Sequence, residues 1–169
     1  RHEVPKQSQF PPCPFPPLQG KFPLKVPGET WLPGWRVVAS IAPEQAGKCG
    51  LRAFAPLVIA SEAKQILPLS LRAKRSNLAA EFDLHQTGTE LFVRQRQPGD
   101  RFQPLGMNMP KKLQDFMVDA KIPLSWRNHI PIVCSPSHPI WVVGWRIDER
   151  AKITEATKEI LRLEFIKSS

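Results

Sequence analysis

The sequence predicts an α+β fold: a small β-rich domain with one amphipathic helix, occupying residues 80–169 behind a proline-rich approach. Three observations carry this expectation. Leu91 to Arg96, Ile130 to Cys134 and Ile140 to Trp145 are short runs rich in β-branched and aromatic residues, bounded by turn residues. Leu161, Leu163 and Phe165 alternate near the C-terminus with the period of two that a half-buried strand requires. Between the strands, Leu113, Phe116, Met117 and Ala120 fall at i, i+3, i+4 and i+7, which places them in one stripe of a helix.

Composition narrows the function classes. The chain has 24 Lys+Arg against 15 Asp+Glu, a formal net charge of +9, which produces a potential attractive to polyanions such as nucleic acid. Cys13, Cys49 and Cys134 form no C-x-x-C pair and leave an odd count. This pattern argues against a zinc site or a disulfide framework, so a reducing, cytoplasmic setting is expected. No apolar run reaches the ~18 residues of a membrane span, no signal peptide is evident, and no membrane partner is expected. The chain opens on Arg1 rather than methionine, which suggests a piece of a longer protein.

From the N-terminus, residues 1–25 read as a linker expected to be disordered. Proline recurs in FPPCPFPPLQGKFPLKVP too often for a helix or a central strand, because each one sets φ and removes a donor. A partner that reads PxxP is the alternative use of such a segment. Residues 26–41 form a leading strand segment. Pro27 to Thr30 give a turn signal, and WRVVASI places Trp35, Val37, Ala39 and Ile41 on one face. Residues 42–79 are broken by Pro43, Pro56 and Pro68 and carry an excess of Lys and Arg. They read either as a basic arm or, preferably, as an insertion like the translated repetitive elements found in some bacterial reading frames. Such an insertion is tolerated in a surface loop at little closure cost.

At EFDLH the pattern resumes, and Gln86 to Thr89 give a turn. A strand over Leu91 to Arg96 puts Arg94 and Arg96 on the same face, which must then meet solvent, carboxylates or phosphate. Gln97 to Asp100 form a turn, and Asp100 offers either a cap for backbone donors or an acceptor that holds an arginine. Asn108 is expected to cap the helix, with Pro110 in its first turn. Lys111 and Lys112 then oppose the helix dipole by about 0.3–1 kcal/mol each, a placement that hints at an anion there. Pro123 ends the helix. The two strands that follow, joined by SPSHP, read as a hairpin, and Asp148 to Arg150 turn the chain. His129 and His138 lack matching ligands and read as loop or surface histidines.

The runs VRQRQPGDRFQPLGM, KKLQDFMVDAKIP, WRNHIP and WVVGWRIDERAKIT occur in that order over Leu91 to Thr157. Together they resemble the C-terminal domain of the tRNA(Ile)-lysidine synthetase family. VPGETWLPGWRVVA is similar to the segment preceding that domain, and AEFDLHQ to the strand leading into it. The resemblance implies a bacterial cytoplasmic ligase that uses ATP and lysine to convert the wobble cytidine of an isoleucine tRNA into lysidine. It also implies an architecture similar to a domain of the phenylalanyl-tRNA synthetase β subunit. The family's N-terminal domain performs the chemistry and is marked by Ser-Gly-Gly-x-Asp-Ser, which is absent here, as is any Walker-type loop. No catalytic residue, cofactor site or metal site is therefore expected, and the chain alone should be inactive.

On this resemblance the domain binds tRNA, particularly at the acceptor stem. Arg94, Arg96, Arg101, Lys111, Lys112, Lys121 and Arg127 would meet phosphate and sugar, with several pairing instead with Asp100, Asp115 or Asp119. Two other readings stand beside it. In one, the apolar stripe and exposed tryptophans dock a separate catalytic chain, such as the missing domain, or the chain is a gene remnant without function. In the other, Asp100, Asp119 and His129 make an acid-base site, although no nucleophile or metal constellation accompanies them.

Overall fold

The computed structural model describes residues 12–43 and 77–168. Most of the expected insertion, residues 44–76, lies outside the described residues, as do residues 1–11 of the expected linker. In chain order the strands are β1 (Phe22–Pro23), β2 (Gly28–Leu32), β3 (Trp35–Pro43), β4 (Asn77–Asp83), β5 (Phe92–Arg94), β6 (Arg101–Phe102) and β7 (Lys111–Lys112). Then come β8 (Ile132–Cys134), β9 (Pro139–Val142), β10 (Arg146–Ile147) and β11 (Glu159–Lys167). Helix α1 spans Leu84–Thr87, α2 spans Leu113–Asp119, and a single 3₁₀ turn covers Glu149–Ala151.

The strands form two antiparallel sheets and a two-strand ribbon. The larger sheet has the order β1-β5-β8-β9-β10, the second β2-β3-β11-β4, and β6 pairs with β7. Central β11 shows why the second sheet forms. Its alternating Leu161, Leu163 and Phe165 are fully buried, and the register places them beside Ile41, Ala39 and Val37 of β3 and beside Phe82, Ala80 and Leu78 of β4. One face of three strands is thereby made apolar, with Arg162 and Glu164 on the other. Trp35 to Ile41 join this sheet as the alternation predicts.

Trp141 of β9 joins the sheets. Its ring meets Phe165 edge-on at 5.4 Å and Phe82 at 5.9 Å. Every residue of β8 and β9 is buried, so the larger sheet is covered on its other face too. There the β6–β7 ribbon and α2 close the core, with Phe102 and Phe116 edge-to-face at 5.1 Å. Leu113, Phe116 and Met117 of α2 are buried, contributing roughly 1.5–3 kcal/mol each by transfer. The helical stripe is thus spent inside the domain's own core. Of the five tryptophans only Trp31 is exposed, and Trp35, Trp126 and Trp141 are buried. These are not the surfaces that docking of a separate chain through the stripe and the tryptophans would need.

Several local expectations need correction. The approach segment is packed from Phe15 onwards: Phe15, Leu18 and Leu24 are buried, Phe15 lies 5.2 Å from the Trp35 ring, and β1 pairs with β5. Proline excludes helix, but it does not prevent apolar residues between prolines from filling a core, and Pro23 sits on an edge strand where a missing donor costs nothing. The helix begins at Leu113, not after Asn108, because Lys111 and Lys112 are committed to the ladder with Arg101 and Phe102. Its first amide, Leu113 N, donates to Asp100 O at 2.8 Å, so it is not open to an anion. The helix ends in a Schellman arrangement: Lys121 N donates to Val118 O and Ile122 N to Met117 O, with Lys121 at φ 53° in the position usually given to glycine.

Candidate nucleic-acid interface

Turn 97–100 organises the basic residues. Strand β5 ends at Arg94, so the alternation expected to carry Arg94 and Arg96 onto one open face stops there. Arg94 is 9% exposed and lies on Asp100, donating Nη1 to Oδ2 and Nη2 to Oδ1, both at 2.8 Å. The hydrogen bond to Asp100 pushes the Arg94 pKa up. Asp100 also accepts from Gln97 N at 2.7 Å, which closes the turn. Both roles considered for Asp100 are therefore present, and the arginine it holds is Arg94 rather than its neighbour Arg101.

Two concavities flank this turn and share Gln97, Gly99 and Asp100. The larger, about 480 Å³, is bounded by the residue preceding β1, by β5, the 135–139 turn and the 3₁₀ turn, and is lined by Lys21, Phe92, Arg94, Arg101, His138 and Arg150 among others. The smaller, about 240 Å³, carries Arg96 and Lys112. Four of the seven expected RNA-binding residues are gathered here. Arg94 is locked in its pair, Arg101 is exposed with one bond to Pro110 O at 3.3 Å, Arg96 donates to Asn128 Oδ1 at 2.9 Å, and Lys112 is exposed. The other three lie outside both concavities. Lys111 forms an ion pair with Asp119, Arg127 Nε caps Ile122 O at 2.9 Å, and Lys121 is exposed beyond α2.

Lys21 and Arg150 are not among the binding residues expected from the sequence, and His138, read there as a loop or surface histidine, lies half-buried in the 135–139 turn. Lys21 stood in a segment read as linker, and its Nζ lies 5.2 Å from the centre of the Phe92 ring. Arg150 lies within WRIDERAKIT, so that motif held the one available signal. Its position depends on Asp148, which is fully buried and accepts from Arg150 Nε (2.8 Å), Arg150 Nη2 (2.9 Å), Arg150 N (2.9 Å) and Gln103 N (2.9 Å). The bond to Asp148 raises the Arg150 pKa.

His138 Nε2 stands 3.9 Å from Asp148 Oδ1. Burial and then the Arg150 charge push its pKa below the ordinary 6.5, with Asp148 opposing them. The folded state thus favours the neutral imidazole. Its contribution to stability is complete above pH 6.5 and is lost as the pH falls below that value. We expect His138→Gln to reduce the drop in melting temperature between pH 7 and pH 5; an unchanged drop would show that His138 does not contribute.

Among the described residues no group of three or more His, Cys, Asp and Glu side chains could hold a metal. Asp100 and Asp119, proposed with His129 as an acid-base site, are each engaged by a different cation, Arg94 and Lys111. No helix of the described residues is long and apolar enough to cross a membrane. What the site offers is positive charge held in fixed positions around concave surfaces, an arrangement suited to binding phosphate.

Comparison with known proteins agrees with the motif reading. A family profile described as the TilS substrate C-terminal domain matches residues 91–165, which contain the turn, both arginine pairs and α2. The tRNA(Ile)-lysidine synthase of Dehalococcoides mccartyi is 40% identical over 153 residues, covering 90% of this chain and 28% of that protein. The chain thus spans little more than a quarter of that relative's length. A crystal structure of a TilS C-terminal domain superposes with a TM-score of 0.60 over 89% of this chain and 98% of that one, at 22% identity, so the fold is shared. A phenylalanyl-tRNA synthetase β-subunit fragment from Pyrococcus horikoshii gives a weaker likeness, TM-score 0.48 over 57% of this chain and 30% of that one. Residues 91–165 thus form a TilS substrate C-terminal domain, and over most of its length the chain is similar to the C-terminal part of a tRNA(Ile)-lysidine synthase.

Proposed function

We propose that this domain holds the tRNA of a lysidine-forming ligase, gripping the backbone at the acceptor stem of an isoleucine tRNA. ATP and lysine would be consumed in a catalytic domain outside this chain, and the reaction would take place in the cytoplasm. The observation that carries the reading is the pair of cation-lined concavities on either side of turn 97–100, lined by residues of the family-matched region with Lys21 added from the N-terminal approach. Exposed Arg101 and Lys112 would make phosphate contacts that orient the RNA and read little sequence. Arg94 would act indirectly, by holding the turn between them.

Salt titration tests this. Each phosphate neutralised adds about 0.7–0.9 to the slope of log affinity against log salt. Arg101→Ala with Lys112→Ala should therefore shallow the slope for isoleucine tRNA by about two, taking roughly one per contact. An unchanged slope would remove both residues from the interface. A chain with no salt-dependent affinity for tRNA would overturn the reading itself.

A further inference from the structure

The larger concavity offers more than a duplex backbone would use. Its volume of about 480 Å³ lies within the roughly 300–1,000 Å³ of pockets that enclose whole small molecules. Its lining combines three kinds of group. Phe92 supplies an aromatic ring, Ser137 an exposed hydroxyl, and Lys21, Arg101 and Arg150 supply cations. The Arg94–Asp100 pair lies in the wall with its charges mutually satisfied. Arg150 commits Nε and Nη2 to Asp148, so Nη1 is not used in that pair.

Double-stranded RNA presents phosphates along ridges and keeps its bases stacked inside, so it would engage the cations but neither the depth nor the ring. An unpaired nucleotide uses all of them. Its base has a π-face for an aromatic side chain, and its phosphate takes the cations. We infer that this groove receives one unpaired ribonucleotide of the bound RNA, with the base on Phe92 and the phosphate among Lys21, Arg101 and Arg150. Lys21 is exposed and its ammonium sits over the Phe92 ring, so it can leave the ring for the phosphate as the base arrives. The inference rests on the RNA-binding reading and adds which chemical state of the RNA the site selects.

The test compares two probes on the whole chain at one salt concentration: a blunt-ended RNA hairpin, and the same hairpin with a short unpaired 3′ extension. Stacking of a base on an aromatic side chain makes the extended hairpin bind roughly tenfold tighter. Phe92→Leu should abolish most of that preference and leave the blunt-hairpin affinity in place. Because Phe92 is half-buried, Lys21→Ala at an exposed position gives a second reading, and should cut the preference without changing the melting temperature. Equal, salt-dependent binding of both probes would overturn the inference and leave RNA binding standing. A preference that survives both substitutions would place the unpaired nucleotide elsewhere and overturn it as well. Binding of neither probe would overturn both readings together.

Discussion

Asp100→Ala is expected to lower the stability of the domain by about 3–5 kcal/mol, the cost of breaking a buried ion pair from one side. Both side chains of the Arg94–Asp100 pair are only 10% exposed, and two of the Arg94 nitrogens bond to the carboxylate. Removing Asp100 strands a guanidinium near Cys134 without a counter-charge, and also frees Gln97 N, which the carboxylate holds at 2.7 Å. Arg94→Met combined with Asp100→Ala should cost less than Asp100→Ala alone, because no uncompensated charge remains. Urea unfolding of the two proteins checks the order; a single substitution costing under about 1 kcal/mol would show that the pair does not hold the turn. The same buried geometry separates Arg94 from Arg101 in binding. Loss of Arg94 acts through the fold, whereas loss of Arg101 acts on the salt slope.

Asp148→Ala should cost about 3 kcal/mol, with much of the loss coming from backbone groups. The Asp148 carboxylate is fully buried and gathers the amides of Gln103 and Arg150, joining the 103–106 loop to the 3₁₀ turn. The Arg150 side chain is 41% exposed, so its share of the attraction is screened by solvent and is the smaller part. Asp148→Asn retains one acceptor oxygen and should cost about half as much. Thermal or urea unfolding gives the ranking directly, and equal costs for Asn and Ala would mean that the acceptor is not what holds the loop. Asp148→Ala should also weaken RNA binding in the folded protein, since Arg150 then loses the two bonds that aim it into the groove.

Local patterning made most of the fold legible. The period of two at Leu161, Leu163 and Phe165 and the helical stripe at Leu113, Phe116 and Met117 both identify residues that are buried, because these periods follow from backbone geometry alone. The motif order over Leu91 to Thr157 carried the family. The start of α2 was misplaced because Asn108 and Pro110 satisfy the local rules for a cap, while the competing ladder between Lys111–Lys112 and Arg101–Phe102 involves residues about ten positions away. The N-terminal approach was misread for a related reason. Proline content bears on hydrogen bonding, whereas the burial of Phe15 and Leu24 depends on the sheets they meet.

For the candidate site, the sequence by itself determined which side chains are charged, that turn 97–100 holds an acceptor among arginines, and which family the motifs belong to. Only the tertiary structure decided what those charges do. It buried Arg94 on Asp100, turned Lys111 onto Asp119, and brought Lys21 and Arg150 from distant parts of the chain to the rim of one groove. The physical reason is that a cation's role depends on whether a carboxylate or water lies within hydrogen-bonding distance. That is set by where strands far apart in sequence come together, and a period read along the chain carries no information about it.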